Sequence, residues 1–330
     1  MLKVNRVLDY QYRCFNLLIS NSRWLELVSE YLGGFRDISR AEISGLLEGY
    51  GGKIERETEK LLFFSTDNPD KIVSRVAFSK RVGRIIGQDE PITINEKQHY
   101  SIRENRIPGR DSLISTMAKR INGKVDLDRP DVRFYIYNFS EPIFTELIYE
   151  RKMGTLIDVR YRTKPMNHPS SISPVLARGM INISGIKEGE KFVDPFAGTG
   201  TFLIEGFRMG IDGYGIDRSW KMLEGGNLNL RHFNFPEVIM NGDFSELENI
   251  GGFSAVITDP PYGRGAKVFS ESREYLYTRL FSLLSRVRGS KVFCIPSVEL
   301  LKLAREYLPI KLAGEIRVHS SLTRYVVHSK

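Results

Sequence analysis

Four acidic residues close four short apolar runs in the C-terminal half of this chain. KFVD ends in Asp194, GYGID in Asp217, EVIMNGD in Asp243 and SAVITD in Asp259. Two glycines, Gly198 and Gly200, follow the first acid in VDPFAGTGT. Two prolines, a tyrosine and a glycine follow the last in DPPYG, residues 259–263. A glycine loop between a strand and a helix can bring backbone close to a ligand. A dinucleotide fingerprint needs a third Gly or Ala, and that position is Leu203. No Walker lysine pattern is present, and a pyrophosphate prefers cations and N–H donors to four carboxylates. Asp217 lies 19 residues after Gly198, the spacing at which an acid meets ribose hydroxyls. A cationic adenosine without phosphate fits this set, and S-adenosylmethionine (SAM) is such a molecule.

DPPYG resembles the signature shared by enzymes that methylate amino groups, and its residues suit that transfer. The lone pair of an exocyclic base nitrogen is delocalised into the ring. Acceptors aimed at its N–H bonds localise that pair and stabilise the positive charge that develops on nitrogen. Asp259 can supply one acceptor and the Pro260 carbonyl a second, with the prolines fixing its direction. Tyr262 can stack on the base. Gly263 lets the chain turn away.

These loops need a frame. From about residue 165, strand and helix signals alternate, as in a doubly wound, mostly parallel sheet. Ligands bind such sheets outside the carboxyl ends of the strands, where the four acids fall. The final strands, IKLAGEIRV and TRYVVHS, are joined only by HSSL, so they are expected to be antiparallel. Further upstream, SRWLELVSEYL reads as a helix and LLFFS as a strand. SRAE (39–42) reads as a capping box opening a helix that stops at Gly49. Asn68 and Pro69 open another helix. VRFYIYNF and FTELIYE read as a hairpin.

Residues 71–164 hold 19 Lys and Arg against 12 Asp and Glu, an excess of seven within a net charge of +8. A localised basic region is the footprint of a polyanion. Cys14 and Cys294 have no CxxC partner, which points to reduced thiols in a cytoplasmic protein. No metal-ligand cluster, membrane-length apolar run or signal peptide is legible.

VDPFAGTGT and DPPYG resemble motifs I and IV of Rossmann-like SAM-dependent amino-methyltransferases. NHPSSISPVLAR (167–178) resembles the motif X segment of one subgroup. With the basic N-terminal half, the chain is similar to archaeal tRNA (guanine-10-N2)-methyltransferases. The resemblance implies an α/β fold with three parts. These are a ferredoxin-like domain at 1–75, a THUMP RNA-binding domain at 76–150 and, after a linker at 151–165, a methyltransferase domain at 166–330. It implies SAM as cofactor and tRNA as partner, with a small activator protein as a candidate further partner. Motif by motif it assigns Asp194, Phe196, Gly198, Gly200, Thr201, Asp217, Asp243, Phe244 and Asp259 to the cofactor. Either Phe244 or Trp220 packs on adenine. Asp259, Pro260 and Tyr262 carry the transfer. His168, Pro169 and Ser170 lie near the cofactor or target base, or form a structural loop. His319, Thr323 and Arg324 line the nucleic-acid side of the pocket, or are a simple turn. Guanine 10 is the expected target. Alternatives are another tRNA or rRNA guanine such as tRNA guanine 6, a DNA amine, and tRNA binding without transfer.

Overall fold

A computed structural model describes residues 25–87, 91–151, 161, 163–262, 273–319 and 322–330. Cys14, Gly263 and most of the expected linker lie outside the described residues.

The N-terminal half is built on one eight-stranded sheet. Its first unit runs β1 (Leu25–Tyr31), α1 (Arg36–Tyr50), β2 (Lys53–Glu57), β3 (Leu61–Thr66), α2 (Pro69–Arg75) and β4 (Ser79–Ile86). The strand order β2-β3-β1-β4, all antiparallel, is that of a ferredoxin-like unit. The boundary expected at residue 75 falls before β4, the strand that completes this unit. The chain continues through β5 (Ile92–Thr93), β6 (His99–Glu104), α3 (Ile114–Ala118), β7 (Ile121–Asn122), β8 (Lys124–Val125), β9 (Val132–Tyr137) and β10 (Ile143–Glu150). β10 pairs with β4, so the sheet crosses that boundary without a break, and β9 and β10 form the expected hairpin.

Two local readings are corrected. LELVSEY is β1 rather than helix, because β3 and β4 take its backbone bonds on both edges. Ser39 lies inside α1 and caps nothing; its hydroxyl donates to the Phe35 and Phe78 carbonyls. Buried Glu42 instead accepts the Ala77 and Phe78 N–H groups and the Asn182 side-chain amide. Asn182 belongs to α4 (Pro174–Ile183). A Cβ on Gly45 of α1 would lie 2.2 Å from the Asn182 carbonyl, so only glycine permits this close crossing of α1 and α4. That crossing seats the N-terminal sheet on the C-terminal one.

The C-terminal half alternates as expected. It runs β11 (Lys191–Asp194), α5 (Thr201–Arg208), β12 (Asp212–Asp217), α6 (Trp220–His232), β13 (Ile239–Asn241), a 3₁₀ turn (Phe244–Asn249) and β14 (Ala255–Thr258). Then follow α7 (Arg273–Arg286), β15 (Ser290–Ile295), α8 (Val298–Tyr307), β16 (Lys311–His319) and β17 (Leu322–Ser329). The strand order is β13-β12-β11-β14-β15-β17-β16. β11 to β15 are parallel, and β17 runs antiparallel between β15 and β16. β14 is buried at every residue, as a central strand covered on both faces must be. The order reverses between β11 and β14, which opens the ligand crevice at their carboxyl ends. Among the described residues no helix is long and apolar enough to cross a membrane.

Candidate active site

The carboxyl ends of β11, β12, β13 and β14 deliver Asp194, Asp217, Asp243 and Asp259 to one edge. Gly198 and Gly200 adopt φ of 51° and 76°, left-handed values that glycine takes without strain. Asp217 holds this loop: one carboxylate oxygen accepts the Gly198 N–H at 2.8 Å, the other the Ser219 N–H at 2.9 Å. α6 lies hard against the loop, since a Cβ on Gly226 would sit 2.6 Å from the Gly198 carbonyl.

Asp194 is only 1% exposed. The Thr258 hydroxyl donates to it at 2.7 Å and the Phe196 N–H at 3.1 Å. Burial is the main cause that lifts its carboxyl to about 7, and the nearby charges of Asp217 and Asp259 push the same way. Burial also raises Asp217, against the two backbone donors. Asp243 accepts the Ser245 N–H at 3.1 Å and pairs with Arg279 at 3.3 Å. Both donors fall on Oδ1. An open pocket of about 470 Å³ lies here, lined by Arg218, Asn241, Gly242, Asp243, Ser245 and Arg279.

Asp259 follows β14, and its side chain is 10% exposed. Arg324 pairs with its Oδ2 at 3.0 Å. The Tyr262 hydroxyl donates to its Oδ1, and Arg324 Nε donates to that hydroxyl at 2.7 Å. Burial raises the Asp259 carboxyl, and the Arg324 charge partly offsets it. Burial, then the Asp259 charge, drives the Tyr262 phenol far up. The Pro260 carbonyl accepts a 3.5 Å bond from Tyr277 of α7.

The expected residues do not all sit as the motifs imply. Phe244 is buried and packs on Phe196 at 5.3 Å, while Trp220 is 65% exposed. Thr201 opens α5 and is buried, 3.4 Å from the Thr199 hydroxyl, which in turn meets Ser171 at 2.9 Å. His168 and Ser170 share a 2.7 Å side-chain bond and are exposed. The Ser170 carbonyl accepts from Arg324 at 3.4 Å. His319 closes β16, and its side chain lies outside the described residues. Arg324 is 7% exposed, and Thr323 precedes it on β17. Its carboxylate pairing places it beside Asp259, inside the site rather than on an open outer turn.

Sequence reasoning missed Asn229. It is fully buried, exchanges hydrogen bonds with Met166 and donates to the Thr199 carbonyl, tying the segment before α4 to the glycine loop. Asn in the polar stretch of α6 carries no local mark of this. Thr258 was the more legible omission, a lone hydroxyl closing the apolar run AVIT.

A cationic adenosine fits these residues. The glycine loop leaves room for close approach, Asp243 lines the open pocket, and a positive charge would relieve the crowded acids. Arg279 is neutralised by Asp243 and offers no free cation for a pyrophosphate.

Curated relatives span most of the chain. A tRNA (guanine(10)-N2)-dimethyltransferase of Pyrococcus abyssi is 28% identical over 90% of this chain and 97% of its own length. That of Methanothermobacter thermautotrophicus is 28% identical over 76% and 82%. A tRNA (guanine(6)-N2)-methyltransferase of Methanocaldococcus jannaschii is 26% identical over 70% and 79%. The model of the RMKL-like methyltransferase domain matches residues 161–326, half of the chain. The acid row, the glycine loop and this match have one reading: the chain belongs to the RMKL-like methyltransferase-domain family, and its cofactor is S-adenosylmethionine.

Proposed function

We propose that the protein transfers methyl groups to the exocyclic N2 amine of a guanine in tRNA, with guanine 10 as the target. The observation that carries this is the largely buried Asp259 carboxylate beside the Pro260 carbonyl, two acceptors at one end of the acid row. Relatives that act on guanine 10 match up to nine-tenths of the chain, which favours that position over guanine 6.

When bound, SAM supplies an electrophilic methyl on a sulfonium. Asp194, Asp217 and the glycine loop with Phe196 and Thr201 form the shelf for its methionine and ribose parts. Asp243 takes the adenine amino group, and Phe244 backs that pocket from the core. At the other end Asp259 accepts one N–H of the guanine amine and Pro260 the other. Asp259 and the Pro260 carbonyl would hold the amine for attack on that methyl, the thioether would leave with the sulfur–carbon electron pair, and the extra N–H proton would pass to Asp259 or to solvent. Tyr262 must give up its bond to Asp259 as the amine enters. Its ring then lies against the base. Raised by burial, Asp259 still accepts best when ionised, so the rate rises with pH through its titration.

The later part of 76–150, from β5 to β10, extends the sheet beyond the ferredoxin-like unit and serves as the THUMP part that grips tRNA. Arg103, Arg106, Lys119 and Lys124 are exposed and enter no ion pair among the described residues. By contrast, Lys80, Arg81 and Arg84 of β4 are paired to Glu30, Glu146 and Glu150. The free cations are the phosphate contacts. A stem guanine must be flipped out to reach the site. His168 and Ser170, exposed beside the Arg324 contact, meet the entering nucleotide. The setting is the cytoplasm.

The test is transfer from labelled SAM to a tRNA transcript, beside the same transcript with adenine at position 10. Label as N2-methylguanosine on the first alone supports the reading. Label on both moves the target, and none with tRNA still bound points to a missing activator protein or to binding without transfer.

A further inference from the structure

Arg324 comes from the last strand, 65 residues after Asp259, yet it touches three residues in two separate parts of the site. Its Nη2 lies 3.0 Å from Asp259 Oδ2 and 3.4 Å from the Ser170 carbonyl, and its Nε donates at 2.7 Å to the Tyr262 hydroxyl. β17 carries it there because that strand is inserted, antiparallel, beside β15. The planar guanidinium is suited to fixing several acceptors at once, which a lysine cannot reproduce.

We propose that Arg324 is the positioning residue of the transfer site: it pins Asp259 by Oδ2 and the Tyr262 hydroxyl by Nε, and so leaves Asp259 Oδ1 as the oxygen that receives the incoming amine. This rests on the reading of Asp259 as the amine's acceptor. In the structure Oδ1 is held by the Tyr262 O–H. An amine N–H can replace that donor one for one. Arg324 keeps its grip on both partners during the exchange, so the carboxylate neither turns nor loses its charge.

Among the described residues the groups facing Asp259 are few. They are Tyr262 on its own loop, Arg324 of β17, Cys294 of β15, Tyr277 of α7 and Asp194 of β11. Among these Arg324 is the one positive charge. Asp194 is a second carboxylate, and Cys294 and Tyr277 are held neutral by burial. Arg324 itself is driven up by Asp259 and Tyr262 although burial opposes it, so it stays charged. Removing its charge must raise Asp259, while replacing it with lysine keeps the charge and loses the fork.

The test compares wild type with Arg324→Gln and Arg324→Lys for transfer to tRNA across pH, with SAM affinity measured by calorimetry. Arg324→Gln is expected to lower kcat by about a hundredfold, leave SAM affinity within about threefold, and move the acidic limb of the profile up by roughly one pH unit. Arg324→Lys is expected to lower kcat while the limb stays near wild type. An unmoved limb in Arg324→Gln, or full kcat in either variant, overturns the proposal. A carboxyl-carbon NMR titration of the free protein, with Asp259 assigned through Asp259→Asn, reads the same shift without turnover. If wild type fails to methylate tRNA but Asp259 still shifts on loss of Arg324, the substrate reading falls and the positioning contact stands. If Asp259 does not shift, the positioning role falls whatever the substrate.

Discussion

Asp217 and Asp259 stand on the same sheet edge, yet they are held by different chemistry. Asp217 accepts two backbone N–H groups, from Gly198 and Ser219. Asp259 is held by two side chains, Tyr262 and Arg324. A backbone donor is fixed by the fold and cannot swing away. A tyrosine O–H can turn off its acceptor while Arg324 Nε still holds its oxygen, and an entering donor takes its place on Oδ1. On the proposed reading the cofactor end of the row is thus a rigid shelf, and the transfer end is built for exchange. The lesson is that two acids alike in place can differ in what their partners allow to move.

The largest effect that separates the two acids is expected at Asp259. Asp259→Asn should lower kcat on the order of 10²- to 10³-fold, as for other losses of one preorganised group at a reacting centre. SAM affinity by calorimetry should stay within about threefold. If affinity is lost in step with turnover, the two ends of the row are not distinct. Asparagine is chosen over alanine because it keeps a partner for the buried Arg324.

Asp217→Asn should show the opposite split. One oxygen becomes an amide that cannot accept, so either the Gly198 or the Ser219 N–H loses its partner. A charge-assisted bond of this kind is worth about 1.5–3 kcal/mol, or roughly ten- to a hundredfold in SAM affinity. At saturating SAM, kcat should move far less. Equal changes in both constants would erase the contrast with Asp259.

Asp194 sharpens the shelf end through pH. Its carboxyl stands near 7 in the folded chain against an ordinary 3.8. A raised acid binds more protons folded than unfolded between these values. The stability it contributes is complete below about pH 4 and is lost as pH rises to about 7. A cation on the shelf favours the ionised form, so SAM should bind on the order of tenfold more tightly at pH 8 than at pH 6. Asp194→Asn should flatten both the melting and the affinity profiles. A wild-type affinity that does not change over this range would show that the acid is not part of the shelf.

Much of this was legible in the sequence because it is local. Each strand carries its own acid at its end, and each glycine or proline that shapes a loop lies within a few residues. The contacts that were not legible are long in sequence. Arg324 reaches Asp259 only because β17 slips between β15 and β16, and nothing near RVHSSLTRYVV announces the pairing. Asn229 reaches Met166 across 63 residues. LELVSEY misled in a different way. Its apolar spacing suits a helix as well as a strand, and pairing on both edges decides for the strand. Pairing of β4 with β1 and β10 likewise carries the sheet past residue 75, which the local pattern does not show.

The smallest effect tests how independent the shelf is of the helix that follows it. Ser219 does two jobs at the start of α6. Its backbone N–H donates to Asp217, and its hydroxyl caps the helix by accepting the Met222 N–H at 3.4 Å. Ser219→Ala removes the second and keeps the first. Loss of an N-cap costs about 1 kcal/mol, and this long bond belongs at the lower end, near 0.5 kcal/mol. The melting temperature should fall by only a degree or two, with SAM affinity and kcat unchanged within error. The backbone grip on Asp217 would then be independent of the cap. A severalfold loss of SAM affinity in Ser219→Ala would instead mean that the cap sets the position of the Ser219 N–H. The shelf would then depend on a side chain after all, as the Asp259 end does.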